Sequence, residues 1–136
     1  MPPQILSSET ISIKAEEDIV LVRQRTRSWA ASLGMSLVDQ TKIITAASEL
    51  ARNALIYGGG GEAVFEILED LNKRGLKISF IDHGPGIPDI ELAMKDGYTT
   101  GKGLGLGLSG SKRLVNDFYI RSTPEDGTTV VITRWK

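Results

Sequence analysis

The sequence predicts an α+β sandwich, a mixed β-sheet with helices packed on one face. Three observations lead there. Two long stretches of helical period occupy much of the first half of the chain. Two strand pairs closed by turn residues follow them. Between those pairs lies a run with glycine at every second position, Gly101 to Gly107, leading into a further helix. A length of 136 residues fits one domain over 1–136, large enough to bury a core without crosslinks.

Residues 1–9 are polar, carry two prolines and are expected to form a loose N-terminal arm. Thr10-Ile11-Ser12-Ile13-Lys14 alternates and reads as an edge strand. A helix follows from Glu16 to Leu33, started by Asp18 or its neighbours and ended by Gly34. Its apolar side is drawn from Ile19, Val20, Val22, Trp29, Ala30 and Leu33. A second helix spans Leu37 to Tyr57 with Ser36 as its cap. Ile43, Ile44, Ala47, Leu50, Ala51, Ala54 and Leu55 share one arc of it. Gly58 to Gly61 must turn. Strands Ala63–Glu69 and Leu76–Asp82 pair through Asn72-Lys73-Arg74-Gly75, and a short helix runs from Pro88 to Lys95. Asp96 to Gly103 reads as a mobile polar connection into a helix over Leu106 to Asn116. Phe118–Thr123 and Thr128–Trp135 close the chain as an antiparallel pair around Pro124-Glu125-Asp126-Gly127.

Composition removes several classes of function. Net charge is −1 and the basic residues are scattered, so neither nucleic acid nor a membrane is expected as a partner. There is no cysteine, which excludes disulfides and thiolate chemistry. With a single histidine besides, a zinc site or a Ser-His-Asp triad has almost no material. The N-terminus lacks a basic segment followed by an apolar core, and no apolar run reaches spanning length. A cytoplasmic protein is expected.

Three motifs carry the chemistry. Glu49 and Asn53, four apart on the second helix, are separated by about 40° around its axis and border its buried face. A carboxylate can accept a hydroxyl proton and an amide oxygen can ligate a divalent cation, although such a pair alone also fits a solvated helix flank. Asp82 ends an apolar strand, where its carboxylate can accept a hydrogen bond from an amino group; Gly84 and Gly86 then let the backbone approach a flat ring. Taken alone, this also fits a strand-end turn. Gly101 to Gly107 precedes a helix, a place where amides bind phosphate, but its spacing matches neither a Rossmann nor a Walker A loop. Lys102 can pair with a phosphate or lie solvated. His83 reads as a solvated loop residue, and Trp29 and Trp135 as packing residues.

Taken in order, these motifs resemble those of the GHKL ATPase/kinase superfamily. Glu49-Leu50-Ala51-Arg52-Asn53 resembles its N box, Asp82-His83-Gly84-Pro85-Gly86 its G1 box, and Gly103-Leu104-Gly105-Leu106-Gly107 its G2 box. Gly127-Thr128-Thr129-Val130 resembles the terminal strand motif. Within the superfamily the chain is most similar to the RsbT-type switch kinases of bacterial stress signalling, through Ala47 to Asn53, Asp82 to Ile87, Gly103 to Leu108 and Lys112-Arg113-Leu114.

That resemblance implies a Bergerat fold with ATP and Mg²⁺ as cofactors. It makes Glu49 the general base or the group that orients the acceptor hydroxyl, and Asn53 the Mg²⁺ ligand. It gives adenine to Asp82 with Thr128 in support, the pocket wall to Gly84 and Gly86, and the phosphate lid to the segment Lys102-Gly103-Leu104-Gly105-Leu106-Gly107. A serine or threonine on a STAS-domain scaffold or antagonist would be the acceptor, and a PP2C-type phosphatase the second partner. Three other roles remain open at this point: an anti-sigma factor that holds a sigma factor and phosphorylates a STAS antagonist, a nucleotide-gated binding module, and the ATPase of a larger machine. No phosphoacceptor helix is evident, so an autophosphorylating sensor kinase is not expected.

Overall fold

Alternation along the strands decides how the sheet faces its helices. Ala63, Phe65 and Ile67 on one strand and Leu76, Ile78 and Phe80 on the next are all buried, a period of two that lines one face. The computed structural model describes residues 2–95 and 107–136. Its elements are β1 (Gln4–Ile13), α1 (Glu16–Ser32), α2 (Leu37–Ile56), β2 (Gly61–Asp70), β3 (Lys73–Asp82), α3 (Ile90–Ala93), α4 (Gly107–Arg113), β4 (Asp117–Thr123) and β5 (Gly127–Trp135). The strand order is β1-β2-β3-β5-β4. Buried side chains of α1 and α2 join those of the sheet in one core, which is the α+β sandwich expected.

The sheet is antiparallel at every pairing rather than mixed. The crossover from β3 to β4 does leave two strands running the same way. However, β5 folds back from β4 and pairs with both, so β3 and β4 never touch.

β1 begins at Gln4, opposite Glu69, so most of the expected loose arm is a paired strand. Its first half is exposed, so backbone pairing rather than an alternating pattern defines it there. In α1, Asp18 Oδ2 accepts the Lys14 and Ala15 N–H groups at 2.8 and 3.0 Å, fixing the helix start. Val20, expected on the apolar side, is 50% exposed, whereas Thr26 is fully buried with its hydroxyl donating to the Val22 carbonyl at 2.7 Å. In α2, Ser36 accepts the Asp39 N–H at 3.1 Å, and the arc from Ile43 to Ala54 is buried as its period requires.

The β2–β3 turn is Leu71-Asn72, tighter than the four residues expected, because pairing continues to Asp70 opposite Lys73. Leu71 takes a positive φ of 58°, a conformation that costs a branched side chain energy. α3 is shorter than expected. Asp89 Oδ1 caps it by accepting the Leu92 N–H at 3.0 Å, so the helix begins after Pro88-Asp89. The expected connection from Asp96 to Gly103, and Leu106, lie outside the described residues.

The first turn of α2 is tied to the last strand by Arg134. Its Nη2 donates to Asp39 Oδ1 at 2.6 Å and its Nη1 to the Leu114 carbonyl at 2.9 Å. The Arg134 hydrogen bond, against an opposing effect of desolvation, holds the Asp39 carboxyl below its ordinary value of 3.8. A carboxyl depressed in the folded state adds stability above the unfolded value and loses it as pH falls through the folded one. Asp39→Asn is therefore expected to lower the melting temperature at neutral pH. The gap from wild type should close as pH falls from 3.8 through the lowered folded value, which thermal unfolding across pH would measure.

Candidate active site

α2, the segment after β3, α3, α4 and the start of β5 enclose a cavity of about 490 Å³. Its walls are largely apolar, formed by Leu50, Ala54, Phe80, Ile87, Ala93, Leu108 and Val130. Polar groups enter it in two clusters: Asp82 with Thr128, and Glu49 with Arg52 and Asn53. An apolar slot with a few converging polar groups suits a flat heteroaromatic ligand with a charged tail.

Asp82 is the last residue of β3, and the alternation that buries Ile78 and Phe80 sends its side chain inward too, to 8% exposure. Its Oδ1 accepts the Gly84 N–H at 2.9 Å and the Thr128 N–H at 3.2 Å. Oδ2 has no hydrogen-bond partner among the described residues and stays available. A buried carboxylate needs such bonds, because an ion taken out of water and left bare costs far more than an unpaired neutral polar group.

The packing around this carboxylate depends on a glycine that sequence reasoning treated only as part of a turn. A Cβ on Gly58 would fall on the Asp82 side chain, and one on Gly84 would come within 2.7 Å of Gly58 Cα. The end of α2 and the loop after β3 therefore meet glycine to glycine, with Asp82 between them. Gly127 (φ 80°) starts β5 against the Asp82 and His83 backbone, where a Cβ has no room.

The Thr128 hydroxyl lies 2.8 Å from Ser122 Oγ, which in turn accepts the Ile87 N–H at 2.7 Å. Ser122 was also missed. The signal for it was the hairpin register, which places Ser122 opposite Thr128. Arg52, expected opposite the apolar arc of α2, is exposed and also lines the cavity beside Asn53.

On the flank of α2, Glu49 and Asn53 are half-buried and both reach the cavity, as their spacing predicts. Glu49 Oε1 accepts the N–H of Gly107, the first residue of α4, at 3.4 Å. Among the described residues no group of three or more acidic, histidine or cysteine side chains could hold a metal ion. A divalent cation here would rely on Asn53 and on oxygens brought by the ligand, a common arrangement for Mg²⁺ with phosphates.

The structure thus brings together Glu49, Asn53, Asp82, Gly86, Gly107 and Thr128 around one cavity, with Gly84 behind Asp82. Lys102, Gly103, Leu104, Gly105 and Leu106 lie outside the described residues. His83 is exposed and is not part of the cavity wall. Trp29 donates to Glu9 at 2.9 Å and Trp135 to Asp117 at 2.9 Å, so both pack and bond on the scaffold. No helix among the described residues is long and apolar enough to cross a membrane.

Comparison with known proteins gives the same outline. The family model described as histidine kinase-, DNA gyrase B-, and HSP90-like ATPase matches residues 38–136. The serine/threonine-protein kinase RsbT of Bacillus subtilis is 47% identical over 92% of this chain and 94% of its own. The anti-sigma F factor of Bacillus licheniformis is 32% identical over 82% of this chain and 80% of its own. A structure of the RsbU and RsbW domains of a Mycobacterium tuberculosis protein superposes on the whole chain with a TM-score of 0.65 and 22% identity. This chain spans 33% of that one, and at such identity the likeness is one of fold.

The glycine packing around Asp82 yields a direct test. Gly58→Ala forces a methyl group onto the carboxylate, so the helix end or the aspartate must move. The variant should lose about 1–3 kcal/mol of stability, typical of an overpacked site, yet still fold. It should also bind ADP at least tenfold more weakly, roughly the worth of one charge-assisted hydrogen bond, by calorimetry. Unchanged ADP affinity would separate this carboxylate from nucleotide binding.

Proposed function

The chain belongs to the histidine kinase-, DNA gyrase B-, and HSP90-like ATPase family, and from that premise we propose how its site works and on what it acts. It is an ATP-dependent protein serine/threonine kinase of the partner-switching kind. The observation that carries this reading is the placing of Glu49 and Asn53 on the flank of the same cavity that holds Asp82. Adenine, phosphates and an acceptor hydroxyl can then lie along one path.

The site fits an adenine nucleotide on its own features: an unused carboxylate oxygen on Asp82, flat apolar walls, and glycines where a Cβ would intrude. Asp82 Oδ2 accepts the exocyclic amine of the base, with Thr128 in support and Gly84 and Gly86 shaping the wall. The segment from Lys102 to Gly107 covers the phosphates. Asn53 would hold Mg²⁺ together with phosphate oxygens, and the ion would screen the charge of the transferring group. Glu49 orients the acceptor hydroxyl and takes its proton as the hydroxyl oxygen bonds to the γ-phosphorus. The bond from that phosphorus to the bridging oxygen breaks, and ADP leaves.

The acceptor in this reading is a serine or threonine on a STAS-domain scaffold or antagonist. A PP2C-type phosphatase is the second partner, engaged when the kinase leaves the scaffold. The anti-sigma F factor relatives support a second reading, in which the chain also holds a sigma factor. Identity of 47% to a serine/threonine-protein kinase, against 32% to an anti-sigma factor, places the switch kinase first.

The test is transfer from labelled Mg-ATP to a STAS-domain protein of the same genome, with a sigma factor offered in parallel. Label on a serine or threonine with no sigma factor retained supports the switch kinase. Label with a tightly held sigma factor supports the second reading. Glu49→Ala should slow transfer by about 10²–10⁴-fold with ADP binding retained. Asn53→Ala should abolish Mg-dependent transfer with the fold intact, and unchanged transfer by that variant would remove the metal assignment.

A further inference from the structure

Ser122 stands where two strands and a loop meet. It faces Thr128 across the β4–β5 hairpin, with the two hydroxyl oxygens 2.8 Å apart. It also accepts the Ile87 N–H at 2.7 Å, from the loop that forms a wall of the cavity. Thr128 gives its backbone N–H to Asp82 Oδ1 at 3.2 Å, and Gly84 gives its own to the same oxygen at 2.9 Å. One run of hydrogen bonds therefore links Ile87, Ser122, Thr128 and Asp82.

The direction of that run follows from what a hydroxyl can do. Each hydroxyl has one hydrogen to donate and two lone pairs to accept with. Ser122 Oγ already receives the Ile87 N–H, and its own hydrogen has Thr128 Oγ1 as its acceptor among the described residues. Donation from Ser122 to Thr128 then leaves the Thr128 hydrogen outside the run, on a residue that lines the cavity. The reverse direction would leave the Ser122 hydrogen with no acceptor among the described residues. Either hydroxyl could donate across this 2.8 Å contact, but only donation from Ser122 leaves a free hydrogen on the cavity-lining residue, in the order Ile87 to Ser122 to Thr128 to cavity.

We propose that Ser122 is a specificity-determining positioning residue, which makes the Thr128 hydroxyl a donor toward the nucleobase. The inference rests on the adenine-nucleotide reading of the cavity. Asp82 Oδ2 then presents an acceptor and Thr128 a donor. A 6-aminopurine offers the matching pair, an amino donor and an unprotonated ring nitrogen. A 6-oxopurine offers the opposite pair, a carbonyl and a ring N–H: it sets acceptor against acceptor at Asp82 and brings a donor to the point where the Thr128 hydrogen would be given. Such reversed pairing is where a site discriminates most strongly, because its polar groups are left unpaired. Ser122 itself touches no ligand.

The experiment measures ADP and inosine diphosphate affinities by calorimetry for wild type, Ser122→Ala, Ser122→Thr, Thr128→Val and the Ser122→Ala/Thr128→Val double variant. Wild type should prefer ADP. Ser122→Ala should weaken ADP by about three- to tenfold, the worth of one hydrogen bond, and leave inosine diphosphate nearly unchanged. Ser122→Thr, which keeps the hydroxyl, should keep the preference. In the Thr128→Val background the serine substitution should no longer change the ratio. Should Ser122→Ala unfold, the isosteric pair Ser122→Thr and Ser122→Val makes the same comparison. Equal weakening of both nucleotides by Ser122→Ala, as from a merely loosened loop, would overturn the proposal. So would a change in ratio that persists without the Thr128 hydroxyl. A wild-type protein that binds neither nucleotide overturns the nucleotide reading along with it. A wild-type preference untouched by Ser122→Ala overturns the serine assignment alone.

Discussion

The structure turns on the carboxylate of Asp82. It sits at the inward position of β3, in line with Leu76, Ile78 and Phe80, where another apolar residue would complete the core. A charge there has to be satisfied, and two backbone N–H groups do it, one from the loop that follows and one from β5. Those bonds tie the loop after β3 to the start of β5, beside the last pair of the β3–β5 ladder. The loop must bend back at Gly84, β5 must start close enough at Gly127 to bring Thr128 in, and α2 must end in a residue without a side chain at Gly58. A requirement set by one buried group thus fixes three glycines spread through the chain.

This also explains which parts of the protein could be read from its sequence. The helices were legible because their burial follows a period that side-chain chemistry imposes, as in the arc from Ile43 to Ala54. Asp82, Glu49 and Asn53 were legible because each breaks such a pattern at its border. β1 was only half legible: Ile11 and Ile13 alternate into the core, but Gln4 to Ser8 are exposed and held by backbone bonds, which leave no trace in side-chain type. The two turn-linked strand pairs were legible, but how they join was not, because nothing local in Gly127 to Trp135 says that this strand inserts between β3 and β4. Gly58 and Ser122 matter through contacts distant in sequence, with Asp82 and with Ile87. Local pattern does not report those.

The two polar clusters of the cavity differ in what supports them. Asp82 and Thr128 lie on neighbouring strands, bonded through the sheet, to each other and to the loop, so their geometry is fixed before any ligand arrives. Preorganised groups of this kind favour selectivity, since no rearrangement offsets the gain from a correct match. Glu49 lies on a half-buried flank, and its contact is with the first amide of α4, directly after the glycine-rich segment. The Asp82–Thr128 cluster is anchored in the sheet, while Glu49 is held by the first residue of α4.

That arrangement bears on how one fold can serve as both kinase and binding partner. The cavity opens into the layer between helices and sheet, and Leu50, Ala54, Phe80, Ala93, Leu108 and Val130 belong both to the core and to its wall. Partner surfaces outside that shared wall can therefore diverge while the pocket stays constant. Relatives bearing the names of a serine/threonine-protein kinase and of anti-sigma factors align over most of the same chain, as such a division allows. Likeness over most of the chain to proteins of both names means that the shared fold does not by itself separate those roles. What separates them has to lie where the chain meets another protein. Arg52 and Ile56 are exposed, border the cavity and lie about one turn apart on the helix that carries Glu49. A partner bound over this stretch of helix would touch the rim of the cavity, so partner contact and the pocket share a boundary there.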